Sequence, residues 1–192
     1  MIELSPHRLS LSTGIDMDAF TAGNPAHPAI IFLHGFPESH RTWRHQMAHF
    51  ADRFYCIAPD QRGYRGTSKP KEVEAYTADK LTADIFALAD ALNVQQFVIA
   101  GHDWGGAIAW SVALNGQPDA PNPAWAGRVR RAVIANAPHP YLFQRLLITD
   151  MNQRASSQYM IDFRDTANDA LVQDQGLTGL MLKTVKWDKP SA

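Results

Sequence analysis

One cysteine stands in the 192 residues. No disulfide can therefore form within the chain, which fits a reducing compartment. Cys56 lies in the apolar run from Phe54 to Ala58 and reads as a small buried hydrophobe rather than a reactive thiol. Neither charge sign is in excess: 18 Lys and Arg against 19 Asp and Glu leave a net charge of −1, which argues against a nucleic-acid or polyanion partner. No apolar run approaches the roughly 18 residues that a membrane-spanning helix needs. The N-terminus lacks a basic segment followed by an apolar one, so no secretory leader is expected and the cytoplasm is the expected location. Internal repeats and low-complexity tracts are absent. No residue spacing calls for a cofactor or a metal: His45 and His49 stand at i, i+4 without an acidic third ligand nearby, as on a solvated helix face.

What is present alternates. Residues 8–20 carry Gly14 between two weakly alternating runs, predicting an edge hairpin. Ala29 to Leu33 and Phe54 to Pro59 are continuous apolar runs rich in β-formers, as in strands buried on both faces. Ser39 is the expected N-cap of a helix through Phe50. Thr77 to Leu92 reads as an amphipathic helix, with Leu81, Ile85, Leu88, Ala89 and Leu92 on one face. A strand at Phe97 to Ala100 and another at Val129 to Ala135 follow, separated by a helix with Ile108, Ala109, Val112 and Ala113 inward. Strand and helix in this alternation predict an α/β fold, a mostly parallel sheet with helices on both faces. From Tyr141 to about residue 185 the chain looks helical throughout. The expected division is 1–138 for the sheet-bearing core and 139–192 for a helical lid.

The centre of this pattern is Gly101-His102-Asp103-Trp104-Gly105-Gly106, where a strand turns into a helix within a few residues. Gly101 and Gly105 leave room for strand and helix backbones to cross, and the apex residue is thrown clear of the sheet. This is the geometry of the G-x-S-x-G elbow with Asp103 in place of serine. His34-Gly35-Phe36-Pro37, the loop from Asp60 to Ser68, and Asn136 to Pro140 end other strands on the same side. Ligands in open α/β sheets bind beyond those carboxyl ends.

Taken in order, HGFPES, DQRGYRGTSKP, GHDWGG and NAPHP resemble the α/β-hydrolase fold, and most closely its epoxide hydrolase branch, from about Ala29 to Pro140. The resemblance implies that Asp103 is a nucleophile and that the backbone N–H groups of Phe36 and Trp104 form an oxyanion hole. It makes His34, Phe36, Pro37, Trp104 and Pro138 the expected substrate-binding positions, with His34 propping its loop. Pro37, lacking an N–H, is expected to hold that loop open. Ser157 to Phe163 resembles the cap segment that supplies a tyrosine proton donor, which makes Tyr159 the candidate. Arg62 is expected to tie down its loop, Arg65 stands where the family favours glycine or asparagine, and His102 is expected to point into the protein.

Aspartate rather than serine carries a chemical meaning. Attack by a hydroxyl on saturated carbon gives an ether that water cannot release, whereas attack by a carboxylate gives an ester that water can cleave. The expected substrate is therefore a small molecule with an sp³ electrophile, an epoxide or an alkyl halide. Haloalkane and haloacetate dehalogenases share this nucleophile. They usually carry asparagine where Phe36 stands or arginine where Trp104 stands, so an epoxide is the first expectation. A non-catalytic, ligand-binding member of the fold is the remaining alternative. The mechanism also needs a histidine to activate water and an acid to orient it. Asn136 occupies one expected place of the acid, and no histidine follows His139. The expectation is a hydrolase truncated after its sixth strand and part of the cap, with an exposed sheet edge prone to association.

Overall fold

The computed structural model describes residues 3–184. Its first elements are an antiparallel pair, β1 (Ser5–Ser10) and β2 (Asp16–Ala22). The turn between them places Gly14 at φ 78°, a region that glycine enters at little cost. The other strands are β3 (Ala29–Leu33), β4 (Tyr55–Pro59), β5 (Phe97–His102) and β6 (Val129–Ala135). Spatial order is β1-β2-β4-β3-β5-β6. β3 pairs in parallel with β4 and β5, and β5 with β6, while β2 meets β4 antiparallel. The sheet is thus mostly parallel, as its continuous apolar runs predict.

Both faces of β3 and β4 are covered, and strand alternation decides which residue goes where. Ile31 and Leu33 of β3 join Ile57 and Ile99 beneath α2 (Ala78–Ala91) and α3 (Trp104–Asn115), meeting Ile85, Phe86, Leu88, Ile108 and Val112. Ile30 and Phe32 turn the other way, toward Met47 of α1 (Arg44–Phe50) with Cys56 and Ala58. Each large apolar side chain so buried contributes about 1.5–3 kcal/mol, which is why the run from Ala29 to Leu33 tolerates no polar residue. The expected single helix from Ser39 to Phe50 is instead a 3₁₀ turn, His40–Trp43, followed by α1. Ser39 precedes the turn with extended backbone and makes no side-chain cap bond. Its neighbour His40 instead donates its backbone N–H to Asp60.

The chain divides at His139/Pro140 into two compact units. The second unit is helical across its described residues: α4 (Pro140–Thr149), α5 (Met151–Ser156), α6 (Gln158–Asp162) and α7 (Ala167–Thr184). Asp150 caps α5 by accepting from the N–H groups of Asn152 and Gln153, and Gly176 kinks α7 at φ 66°. No helix is long and apolar enough to cross a membrane among the described residues.

Candidate active site

β5 and α3 meet at Asp103, whose backbone stands at φ 55°, ψ −123°. A non-glycine residue there stores about 1–3 kcal/mol and persists only when its surroundings enforce it. The enforcement is visible in three glycines. A Cβ on Gly101 would come within 2.3 Å of Gly105 O, one on Gly105 within 2.3 Å of Leu33 O and 2.4 Å of His34 O, and one on Gly106 within 2.7 Å of Ala137 Cβ. Strand, helix and two neighbouring loops therefore close on the turn with no room for a side chain at these three positions. The Asp103 N–H donates to Ala135 O at 3.0 Å, tying the apex to the end of β6.

The loop after β3 supplies the first partner of that apex. The Phe36 N–H donates to Asp103 Oδ1 at 2.9 Å. Gly35 lies so close that a Cβ would sit 2.6 Å from Asp103 Cβ. Trp104 is the first residue of α3, where a backbone N–H has no intrahelical acceptor. Among the described residues, no Lys, Arg or His pairs with the Asp103 carboxylate. The carboxylate is half-buried rather than locked in a salt link.

His34 belongs to the support of this loop. Its ring is fully buried, Nδ1 lies 2.8 Å from Gly35 O, and Nε2 accepts from the Gln61 N–H at 3.2 Å. Gln61 Nε2 also donates to His34 O at 2.6 Å. Burial pushes the imidazole below the ordinary histidine range, and both ring nitrogens are engaged within the protein. Phe36 is half-buried, while Pro37, reached through a cis peptide bond, and Pro138 are exposed. Trp104 is 43% exposed. The loop bearing Pro138 is pinned by Trp110, which donates from Nε1 to Ala137 O at 3.0 Å and meets His139 edge-on at 4.8 Å.

His102 departs from expectation. It does not point into the core but spans two loops: Nδ1 faces Glu38 Oε2 at 3.4 Å, and Nε2 lies 3.1 Å from Asn136 Nδ2. One tautomer, with the proton on Nδ1, satisfies both contacts. Glu38 also accepts from the Gly35 N–H at 2.9 Å, so a carboxylate, an imidazole and an amide link the loops that end β3, β5 and β6. Sequence reasoning passed over Glu38, although a carboxylate three residues after Gly35 has the spacing to reach back to the loop backbone. It passed over Tyr64 as well. Burial, with the charges of Asp103 and Glu38, pushes this phenol up to about 12, and its ring meets His34 edge-on at 4.6 Å. The phenol therefore stays protonated beside the acidic pair.

The remaining singled-out residues fall into place. Arg62 is buried and grips Asp84 with Nε at 2.8 Å and Nη2 at 2.7 Å, with Nη1 on Ala75 O at 2.7 Å. Arg65 occupies φ 45°, the conformation that explains a preference for glycine or asparagine at this point of the loop. Tyr159 lies on α6 of the second unit, 41% exposed and edge-on to Phe163 at 5.6 Å. His45 and His49 are exposed, and no group of His, Cys, Asp and Glu among the described residues could hold a metal ion.

Known proteins share this fold. Residues 28–176 match the alpha/beta hydrolase fold family. A solved structure described as a novel epoxide hydrolase of the alpha/beta hydrolases superfamily, from metagenomes of hot environments, is 61% identical with a TM-score of 0.89, covering 100% of this chain and 61% of that one. Epoxide hydrolase 1 of Caenorhabditis elegans is 34% identical over 143 residues, which is 74% of this chain and 33% of that protein. Epoxide hydrolase A of Mycobacterium tuberculosis is 43% identical over 108 residues, 56% of this chain and 34% of that protein. The chain thus spans about a third of the length of these curated relatives. A family match across most of its length, with the elbow at the centre of the matched region, makes this chain a member of the alpha/beta hydrolase fold family, similar to epoxide hydrolases.

Proposed function

We propose that this chain carries the attacking half of an epoxide hydrolase, in which Asp103 opens the ring and becomes esterified. The observation that carries the reading is a carboxylate held at a strained apex by one backbone hydrogen bond, Phe36 N–H to Oδ1 at 2.9 Å. In this reading the other oxygen attacks a ring carbon, the carbon–oxygen bond of the epoxide breaks, and the departing alkoxide takes a proton from Tyr159. The product is a hydroxyalkyl ester on Asp103. A carboxylate needs no general base for this step, which distinguishes it from serine.

The same Phe36 N–H then serves the second step. Water attacking the ester carbonyl places negative charge on the oxygen already facing that donor, and the Trp104 N–H is the second donor. A hole that exists before the reaction requires no reorganisation during it, and losing one donor costs about 10²–10³ in rate. The histidine that activates water, and its acid, have no counterpart among residues 140–192, where no histidine occurs. In this reading the ester therefore accumulates on the 192-residue chain.

The test is incubation with a reactive aryl epoxide followed by intact-mass and peptide mapping. A single adduct of the epoxide's mass on Asp103, absent in Asp103→Ala, is the expected result. Multiple turnover to diol without an adduct would exclude the mechanism. Halide release from a matched alkyl halide, measured beside it, separates the dehalogenase alternative; Phe36 has no side-chain donor with which to hold a halide, which favours the epoxide.

A further inference from the structure

A second recess lies away from the elbow, on the β1–β2 side of the sheet. It has a volume of about 500 Å³ and is lined by Leu4, Pro6, Phe20, His40, Arg41 and Arg44. β2, which carries Phe20, is separated from β5 by β4 and β3, so three strand spacings, about 14 Å in all, stand between that wall of the recess and the Asp103 strand. The volume falls within the roughly 300–1,000 Å³ of small-molecule sites.

Its chemistry is uneven. His40 is 6% exposed and its ring stacks on Phe20, with centroids 3.5 Å apart and planes inclined by 18°. Nδ1 stands 3.0 and 3.1 Å from the two oxygens of Asp60, itself 1% exposed. That carboxylate also receives the His40 N–H at 2.9 Å, and Arg65 Nε lies 3.6 Å away. Asp60 thus fixes the ring's orientation, and Nε2 is left without a hydrogen-bond partner among the described residues. Arg41 and Arg44 stand at the rim with no carboxylate within ion-pair distance among the described residues. Arg44 Nη1 donates only to Arg41 O, at 2.9 Å. The rest of the lining, Leu4, Pro6 and the Phe20 ring, is apolar.

We propose that this recess binds a small amphipathic carboxylate, with its acid group on the Arg41 and Arg44 guanidiniums beside the His40 ring, and its hydrocarbon against Leu4, Pro6 and Phe20. Guanidinium forks match carboxylate geometry and retain their charge at any working pH. Asp60 on the far side of the imidazole holds the ring in place beside the two guanidiniums. A neutral ligand of the same length would gain the apolar wall alone. A phosphate or sulfate would gain the guanidiniums but leave that wall in water. The site is separate from the epoxide reading and does not depend on it.

Octanoate is the probe, with 1-octanol as the uncharged match, titrated against the 192-residue chain by calorimetry and by ring-nitrogen NMR of the histidines. The expected result is saturable octanoate binding at least about tenfold tighter than octanol, with the His40 Nε2 resonance moving most. In Arg41→Gln/Arg44→Gln, two exposed substitutions that leave the core untouched, octanoate affinity falls about tenfold or more while octanol is unchanged. Equal binding of acid and alcohol, an unmoved His40 resonance, or a double variant that binds octanoate like the parent would each overturn the proposal.

Discussion

Gly35→Ala tests whether the loop after β3 sets the position of the Asp103 carboxylate. The added Cβ would lie 2.6 Å from Asp103 Cβ, 2.7 Å from Oδ1 and 3.0 Å from Cγ. Carbon atoms settle at about 3.5–4.0 Å, so roughly 1 Å must be found. The Asp103 backbone cannot supply it, because Gly105 already abuts Leu33 O and His34 O. Either the carboxylate rotates or the loop lifts, and both lengthen the 2.9 Å bond from Phe36 to Oδ1. Displacing a reacting group by 1 Å costs on the order of 10² in rate.

Alkylation of Asp103 by an aryl epoxide, followed by intact mass against time, should therefore slow about 10²-fold, with the far-ultraviolet dichroism of the chain unchanged. Gly14→Ala supplies the contrast. Its φ of 78° would strain alanine, but nothing lies within 4 Å of the new Cβ, so stability falls and the alkylation rate does not. If Gly35→Ala alkylates within about threefold of the parent, the loop does not position the carboxylate and the account of the site is wrong.

Other expectations follow from the same contacts. Arg62→Met should cost about 3–5 kcal/mol in urea unfolding, because it strands a buried Asp84 carboxylate that keeps only the Thr13 hydroxyl at 2.6 Å. His34, held below its ordinary value of 6.5 by burial, stays neutral in the fold while the unfolded chain takes up a proton. Its contribution is complete above 6.5 and lost as pH falls through the lower folded value; urea midpoints between pH 7 and 5 should show that slope, and His34→Gln should flatten it. The Cys56 thiol, pushed up to about 11 chiefly by burial, should resist iodoacetamide at pH 8 and react fully in denaturant. Val133, 59% exposed on the end strand β6, should promote self-association, and Val133→Lys should reduce it in light scattering.

Strands buried on two faces were the most legible part of the chain. Ala29–Leu33 begins and ends where its apolar run does, and Tyr55–Pro59 lies within one, since a buried strand admits polar residues only at its ends. Helix α2 was legible for the same reason in another period, with Leu81, Ile85, Leu88 and Ala89 all buried. What escaped was pairing across distance. Nothing local in the sequence joins Arg62 to Asp84 or His40 to Asp60, twenty or more residues apart. His102 was misread because a residue at the very end of a strand no longer obeys strand alternation. It turned toward the loops, where Glu38 and Asn136 had unfilled hydrogen bonds. Tyr64 was missed because its nearness to Asp103 is made by the sheet, which sets β3 between β4 and β5.

The elbow separates two kinds of constraint that the motif writes together. Gly101, Gly105 and Gly106 are excluded from bearing a side chain by Gly105 O, by Leu33 and His34 O, and by Ala137 respectively, so each answers to a different neighbouring segment. Those contacts fix where the turn is. None of them touches the apex side chain, which meets only the loop at Gly35 and Phe36. The fold therefore specifies a position and leaves its chemistry open, and a serine or an aspartate could stand there on the same scaffold. With aspartate in place, chemistry and fold join only at the 2.9 Å contact between the Phe36 N–H and Oδ1. That donor orients the carboxylate, so in the proposed reaction the loop after β3 matters as much as Asp103 itself.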